Sequence, residues 1–275
     1  YRRPFLQGTR AARGCACASL RTRVSFEIAM HELGGHTIYL SQNEVGLGER
    51  EPISDVAQVL SRYIDGIVAR TFSHQDIELL AQYATVPVIN GLSDQEHPCQ
   101  ALSDLLTIYE KKGKLEGLTI AFIGDANNVA NSLLLASALV GMNFNIASPQ
   151  CYQPRESILA QAKEFASQNG AQITSTEEPL VAIKDADVVY TDVWASMGQE
   201  SEGEIRRQAF SNYQVDTRLL ALAKRDAIFM HPLPAHHGEE IADGMLQSPQ
   251  SVVFDQAENR LHLQKAMLVE LMRGL

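Results

Sequence analysis

The apolar, β-rich run from Leu118 to Ile123 ends in Gly124-Asp125, a helical pattern from about Asn127 to Val140 follows, and Asn143 to Ala147 forms a second apolar run. A buried strand, a glycine turn, a helix and another buried strand in this order read as a βαβ unit. The right-handed crossover such a unit requires commits the surrounding chain to a parallel sheet covered by helices. The segment is one mononucleotide-binding half.

The rhythm extends in both directions. Downstream, strands are predicted at Gln172 to Thr174, Val188 to Thr191, Ala227 to Met230 and Val252 to Phe254, with helices between them. Upstream, Asp55 to Tyr63 and Ile77 to Tyr83 read as helices, and Gly66 to Ala69 and Val86 to Asn90 as strands. Lys111-Lys112-Gly113-Lys114 interrupts the pattern with charge and glycine, so a hinge is expected near Lys111 to Leu115. The expected fold is α/β, with two doubly wound parallel-sheet domains over residues 1–112 and 113–275. Ligands of such sheets bind beyond the carboxyl ends of the strands, here Arg70, Asn90 to Gln100, Gly124 to Asn128, Asp192 to Gly198 and His231 to Pro234. The expected active site is a cleft between the domains.

Composition narrows the ligand. At 275 residues and 45% hydrophobic content the chain can bury two cores, and its net charge of −10 excludes a nucleic-acid surface, which needs a basic face. No apolar run reaches the ~18 residues that would span a bilayer. The four cysteines, Cys15, Cys17, Cys99 and Cys151, have neither CxxC nor zinc-ligand spacing, which predicts reduced thiols in a cytoplasmic setting and no metal site.

Local basic residues must then serve small anions. Ser19-Leu20-Arg21-Thr22-Arg23 opens a helix whose apolar positions are Val24, Phe26, Ile28, Ala29, Met30 and Leu33 and whose stop is Gly34-Gly35. A helix N-terminus leaves N–H groups unpaired and carries partial positive charge, so hydroxyls and arginines there suit a phosphate. Taken alone, the same residues read more readily as a helix cap with solvated arginines. His97-Pro98-Cys99-Gln100 adds a second polar cluster.

The stretch SLRTRVSFE followed by MHELGGHTIYL resembles the carbamoyltransferase family, whose phosphate motif has the form Ser-x-Arg-Thr. VLSRYIDGIVAR, HPCQALSDLLT, IGDANNVANS, DVWASMG, FMHPLPA and FDQAENRLH agree in order and spacing from Ser19 to Leu275, most closely with the ornithine branch. The resemblance implies transfer of a carbamoyl group from carbamoyl phosphate to the side-chain amine of L-ornithine, giving L-citrulline and phosphate. It implies no metal or organic cofactor, a homotrimer, and a place in arginine biosynthesis. The expected location is the cytoplasm, or an organelle matrix should the basic N-terminus be a processed transit segment. By the same resemblance Ser19, the Leu20 amide, Arg21, Thr22 and Arg260 hold the phosphate. Arg70 and His97 address the carbonyl oxygen, while Gln100 and the Pro232-Leu233 segment address the carbamoyl nitrogen. Asn128, Asp192, Ser196 and Met197 clasp the amino acid, and the helix over 257–273 returns to brace the first domain. Arg70, His97 and Asp192 are the expected catalytic residues.

Four departures stand out. The family's His-Cys-Leu-Pro tetrapeptide reads His231-Pro232-Leu233-Pro234, a loop glutamine is replaced by Gly46, and an arginine after Pro-Ala-His by His237. Thr9 to Gly14 lacks the apolar strand expected before the phosphate motif. Pro232 favours an aspartate-type or other carbamoyltransferase as the alternative, and the departures together suggest a catalytically impaired carbamoyl-phosphate-binding homologue. A nicotinamide-dependent dehydrogenase is disfavoured, because Ile123-Gly124-Asp125-Ala126-Asn127 has one glycine where the dinucleotide fingerprint has three.

Overall fold

The computed structural model describes residues 5–15, 20–41, 46–195 and 200–272. The chain divides into two compact units, residues 1–99 with 258–275 and residues 100–257.

The first unit holds a parallel four-stranded sheet in the order β2-β1-β3-β4, with β1 Arg10–Cys15, β2 His36–Ser41, β3 Gly66–Arg70 and β4 Val88–Leu92. The expectation that Thr9 to Gly14 lacks a strand is overturned: β1 is an inner strand, in parallel register with β2 (Ala11 opposite Thr37) and β3 (Ala11 opposite Gly66). Hydrogen bonding on both edges stabilises it, and the small side chains of Ala11 and Ala12 fit an interior already filled by their neighbours. Ala11 packs with Phe26, Ala29, Met30, Val68, Ile89, Leu268 and Met272 on one face, and Ala12 with Ile53, Ala57, Ile67, Ala69, Ile77 and Leu80 on the other. An apolar-run criterion misses a strand whose burial is supplied by what surrounds it.

Helix α1, Leu20–Glu32, turns Phe26, Ala29 and Met30 inward and leaves Val24 and Ile28 exposed. It ends as expected at Gly34, whose φ of 86° suits only glycine comfortably. The Gly34 N–H donates to the His31 carbonyl at 3.0 Å and the Gly35 N–H to the Met30 carbonyl at 2.8 Å, which satisfies two carbonyls of the last turn. Helices α2, Ile53–Leu60, and α3, His74–Tyr83, cover the opposite face.

The second unit is a parallel five-stranded sheet, order β7-β6-β5-β8-β9, from β5 Thr119–Ile123, β6 Asn143–Ala147, β7 Ile173–Thr176, β8 Val188–Tyr190 and β9 Ile228–Met230. Helix α4, Pro98–Lys112, packs Ala101, Leu105 and Ile108 against Phe122, Phe144 and Tyr190, together with helix α5, Asn128–Leu139, and α6, Glu156–Asn169. The other face carries α7, Pro179–Ile183, α8, Gly203–Ala209, and α9, Thr217–Leu220, around Phe210 and Phe229. Lys111 pairs with Asp255 at 2.9 Å and Lys112 with Asp226 at 2.9 Å, within this unit.

The strand expected at Val252 to Phe254 is absent. Ser251 makes an isolated bridge to Phe229, and Val253 begins helix α10, Val253–Met272, so the apolar pair Val252-Val253 buries the entry to a helix. A run this short carries no period that separates strand from helix. Among the described residues no helix is long and apolar enough to cross a membrane.

Candidate active site

In the first unit the chain leaves β1 on one side of the sheet and β3 on the other, so β1 and β3 flank the topological switch point, where strand ends open a crevice. The motif helix α1 follows β1, and Arg70 is the last residue of β3, in register with Cys15 at the end of β1. Thr22, fully buried, accepts a hydrogen bond from Arg260 Nη2 at 3.0 Å and a longer one from Arg70 Nη1 at 3.4 Å. Arg70 and Arg260 are themselves at least nine-tenths buried. Two guanidiniums anchored to one hydroxyl form a concentrated positive site, and the first N–H groups of α1 have no intrahelical acceptor. Such a site suits a doubly charged phosphate. Leu20 opens the helix with its side chain exposed, while Ser19 lies outside the described residues.

His97 precedes α4 and is buried. Burial, with the positive charges of Arg260, Arg70 and Arg21, holds its imidazole well below the ordinary histidine range. At neutral pH the ring is uncharged and keeps one N–H to donate.

In the second unit the switch point lies between β5 and β8. Asn127, at the turn after β5, uses its carbonyl oxygen to cap α5, accepting from the N–H groups of Val129 and Ala130 at 2.9 and 3.1 Å. Its amide nitrogen donates at 2.7 Å to Oδ2 of Asp192, which follows β8. Burial pushes the Asp192 carboxyl up, against His231 and the Asn127 hydrogen bond, which pull it down. Asn128 is the first residue of α5, half-buried beside this pair. Ser196 and Met197 lie outside the described residues. Arg206 bonds Asp125 Oδ2 and the Trp194 carbonyl, each at 2.9 Å, and burial raises the Asp125 carboxyl to about 6 despite that partner.

The segment after β9 is held by its own side chains. His231 Nδ1 accepts the Leu233 N–H at 2.9 Å, which leaves the ring proton on Nε2, facing Glu240 Oε1 at 3.1 Å. Pro232 is buried, and Leu233 sits at φ 56°, a left-handed conformation uncommon for a branched side chain. Gln100, on the first turn of α4, donates its side-chain amide to Asp104 Oδ1 at 2.8 Å.

The departures have local settings. Gly46 takes φ 57°, and a Cβ there would meet the Arg50 Cβ at 3.0 Å, so the turn back to Arg50 disfavours a glutamine. His237 is exposed, 3.7 Å from Asp243. His236, Glu239 and Glu240 bring three potential metal-ligand atoms within 4.8 Å, but Glu240 Oε1 already faces His231 and accepts the His236 N–H. Nothing in the structure explains why Pro232 stands where the family motif has cysteine.

The sequence places Asn127 in the loop after β5 without marking its role, and Asp104, Gln256 and Glu240 are not singled out. Asn127 had a legible signal, an asparagine immediately before an apolar helix. Asp104 stands four residues after Gln100 on one helix, a spacing at which side chains meet. Gln256 had none, because its partners Asp104, Tyr190 and His231 come from a helix, a strand and a loop far along the chain, and Glu240 had none, because the loop that joins it to His231 and His236 carries no periodic pattern.

Two family models cover the chain: the carbamoyl-P binding domain of aspartate/ornithine carbamoyltransferase over residues 2–110, and its Asp/Orn binding domain over residues 116–271. An ornithine carbamoyltransferase of Anoxybacillus flavithermus is 56% identical over 254 residues, 92% of this chain and 81% of that protein. The anabolic ornithine carbamoyltransferase of Pyrococcus furiosus is 54% identical over 257 residues, 94% of this chain and 82% of its own length. A solved Pyrococcus furiosus ornithine carbamoyltransferase superposes with a TM-score of 0.96 at 52% identity, covering 99% of this chain and 87% of the other. The parallel sheets, the switch-point residues and these relatives agree, and the chain belongs to the aspartate/ornithine carbamoyltransferase family.

Proposed function

We propose that this chain transfers the carbamoyl group of carbamoyl phosphate to the side-chain amine of L-ornithine, giving L-citrulline and phosphate. The observation that carries the reading is the contrast between the two switch points. One gathers Thr22, Arg70 and Arg260 around a neutral histidine, which suits a phosphate; the other presents the buried carboxylate of Asp192, which suits a cationic amine. Residues 1–112 would then carry carbamoyl phosphate and 113–275 the amino acid, with 257–273 bracing the first part.

In this reading Ser19, the Leu20 amide, Arg21, Thr22, Arg70 and Arg260 hold the phosphate. The ornithine amine begins as an ammonium with an unperturbed pKa of ~10.4, so freeing its lone pair at neutral pH costs roughly 4 to 5 kcal/mol. Asp192 faces that ammonium, and burial raises its own basicity toward the proton. The freed nitrogen attacks the carbonyl carbon. Arg70 and the His97 N–H stabilise the oxyanion, and the bond to the phosphate oxygen breaks, with phosphate leaving into the arginine site. The product nitrogen gives one of its two protons to the departing phosphate and keeps the other as the N–H of citrulline. Donors aimed at such an oxyanion are worth about 3 kcal/mol each. Gln100 and the Leu233 carbonyl address the carbamoyl nitrogen, and Asn128, Ser196 and Met197 the amino-acid backbone.

Assembly as a homotrimer in the cytoplasm belongs to the same reading, and light scattering that reported an active monomer would contradict it. Pro232 favours aspartate as the acceptor, but the Asp192 carboxylate opposes a dicarboxylate substrate. Citrulline formation by the purified chain, measured from neutral to alkaline pH beside an aspartate control, decides. Ornithine turnover rising with pH supports the proposal; faster turnover of aspartate, or carbamoyl-phosphate binding with no turnover of either, overturns it.

A further inference from the structure

Resting on the carbamoyl-phosphate reading, we infer that the buried carboxylate of Asp104, acting through Gln256, is the positioning group for both acceptors of the carbamoyl amine, the Gln100 side chain and the Leu233 carbonyl. Asp104 is fully buried. Its Oδ1 accepts from Gln100 Nε2 and from Gln256 Nε2, each at 2.8 Å, and its Oδ2 from the Tyr190 hydroxyl at 2.8 Å. A carboxylate only accepts, so each glutamine must turn its NH2 end toward Asp104 and its carbonyl oxygen the other way. For Gln100 this presents Oε1 as the end that addresses an amine. For Gln256 it places Oε1 where the His231 N–H donates to it at 2.9 Å.

The chain of constraint continues from there. With its backbone anchored to Gln256, His231 accepts the Leu233 N–H on Nδ1 and sets Nε2–H toward Glu240. Leu233 is thereby held at φ 56°, an orientation its side chain does not favour and which its neighbours must impose. The Tyr190 hydroxyl, kept protonated by burial and by Asp104, also accepts from Gln256 Nε2 at 3.1 Å. One charge thus orients two amides and, through one of them, anchors the backbone of His231. An amine with two hydrogens is the group that meets two carbonyl acceptors; a methyl group gains nothing from either.

That difference supplies the test. Phosphonoacetamide and 2-oxopropylphosphonate are stable phosphonates differing only in NH2 against CH3, and their binding to the full-length chain is measured by calorimetry for wild type, Gln256→Met, Asp104→Leu and Asp104→Asn. Wild type should prefer the amide. Gln256→Met and Asp104→Leu should lose about tenfold of amide affinity, the scale of one or two hydrogen bonds, while the ketone changes by less than about twofold. Asp104→Asn, which can keep an oxygen toward both glutamines and turn its NH2 to the Tyr190 oxygen, should restore most of the preference. Equal losses for both ligands would mean a merely structural carboxylate and would overturn the inference. Should Asp104→Leu not fold, Gln256→Met decides alone. A wild-type chain that binds neither phosphonate overturns the transferase reading and, with it, the inference; binding of both without preference overturns only the inference.

Discussion

Asn127 and Asp192 meet across the switch point of the second sheet, the amide nitrogen of one 2.7 Å from a carboxylate oxygen of the other, while the same asparagine caps helix α5. One side chain therefore ties the strand end carrying the carboxylate to the helix that opens the site. Capping fixes the amide's orientation, because its oxygen is occupied by the helix N–H groups and only its nitrogen can face Asp192.

Asp192→Asn keeps the shape and removes the charge. Losing a hydrogen bond to a charged group costs about 1.5 to 3 kcal/mol, so kcat/KM for ornithine should fall roughly 10- to 150-fold. Affinity for carbamoyl phosphate, measured by calorimetry, should stay within about twofold, and an equal loss for both substrates would remove Asp192 from the amino-acid site.

Thr22→Val leaves Arg70 and Arg260 without the hydroxyl on which both converge. Stripping the acceptor from buried donors costs about 1 to 3 kcal/mol. Unfolding should begin several degrees lower, and the KM for carbamoyl phosphate should rise about tenfold while that for ornithine holds. An unchanged carbamoyl-phosphate KM would place the anion elsewhere.

The depressed pKa of His97 has a defined sign. Below about pH 6.5 an unfolded chain takes up a proton that the native imidazole refuses, so the unfolded state binds more protons and stability falls as pH drops toward the native value. Urea-unfolding profiles between about pH 5 and 7.5 should be steeper for wild type than for His97→Asn. Parallel profiles would show that His97 titrates normally.

Gly34→Ala serves as the contrast. At φ 86° a Cβ is disfavoured, and the change should cost about 1 kcal/mol while leaving both KM values untouched. A shifted KM would mean that the end of α1 is coupled to the phosphate site.

The sequence alone determined the class of fold. Leu118 to Ala147 is legible as βαβ because strands buried on both faces must be apolar throughout and the intervening helix must repeat near 3.6 residues, and both patterns are written in consecutive residues. Gly34 and the loops after β3, β5 and β8 are legible for a similar reason: each is a local backbone requirement. Tertiary structure alone decided the rest. Arg10–Cys15 is a strand because two neighbouring strands complete its hydrogen bonds, although its side chains are small or polar. Val252-Val253 enters a helix because the residues beyond it carry that helix to Met272. Thr22 gathers guanidiniums from β3 and from the C-terminal helix, and Asp104 orients Gln100 and Gln256. Hydrogen bonds and desolvation act over a few ångströms of space, and the order of residues along a chain does not state which distant groups will share that space.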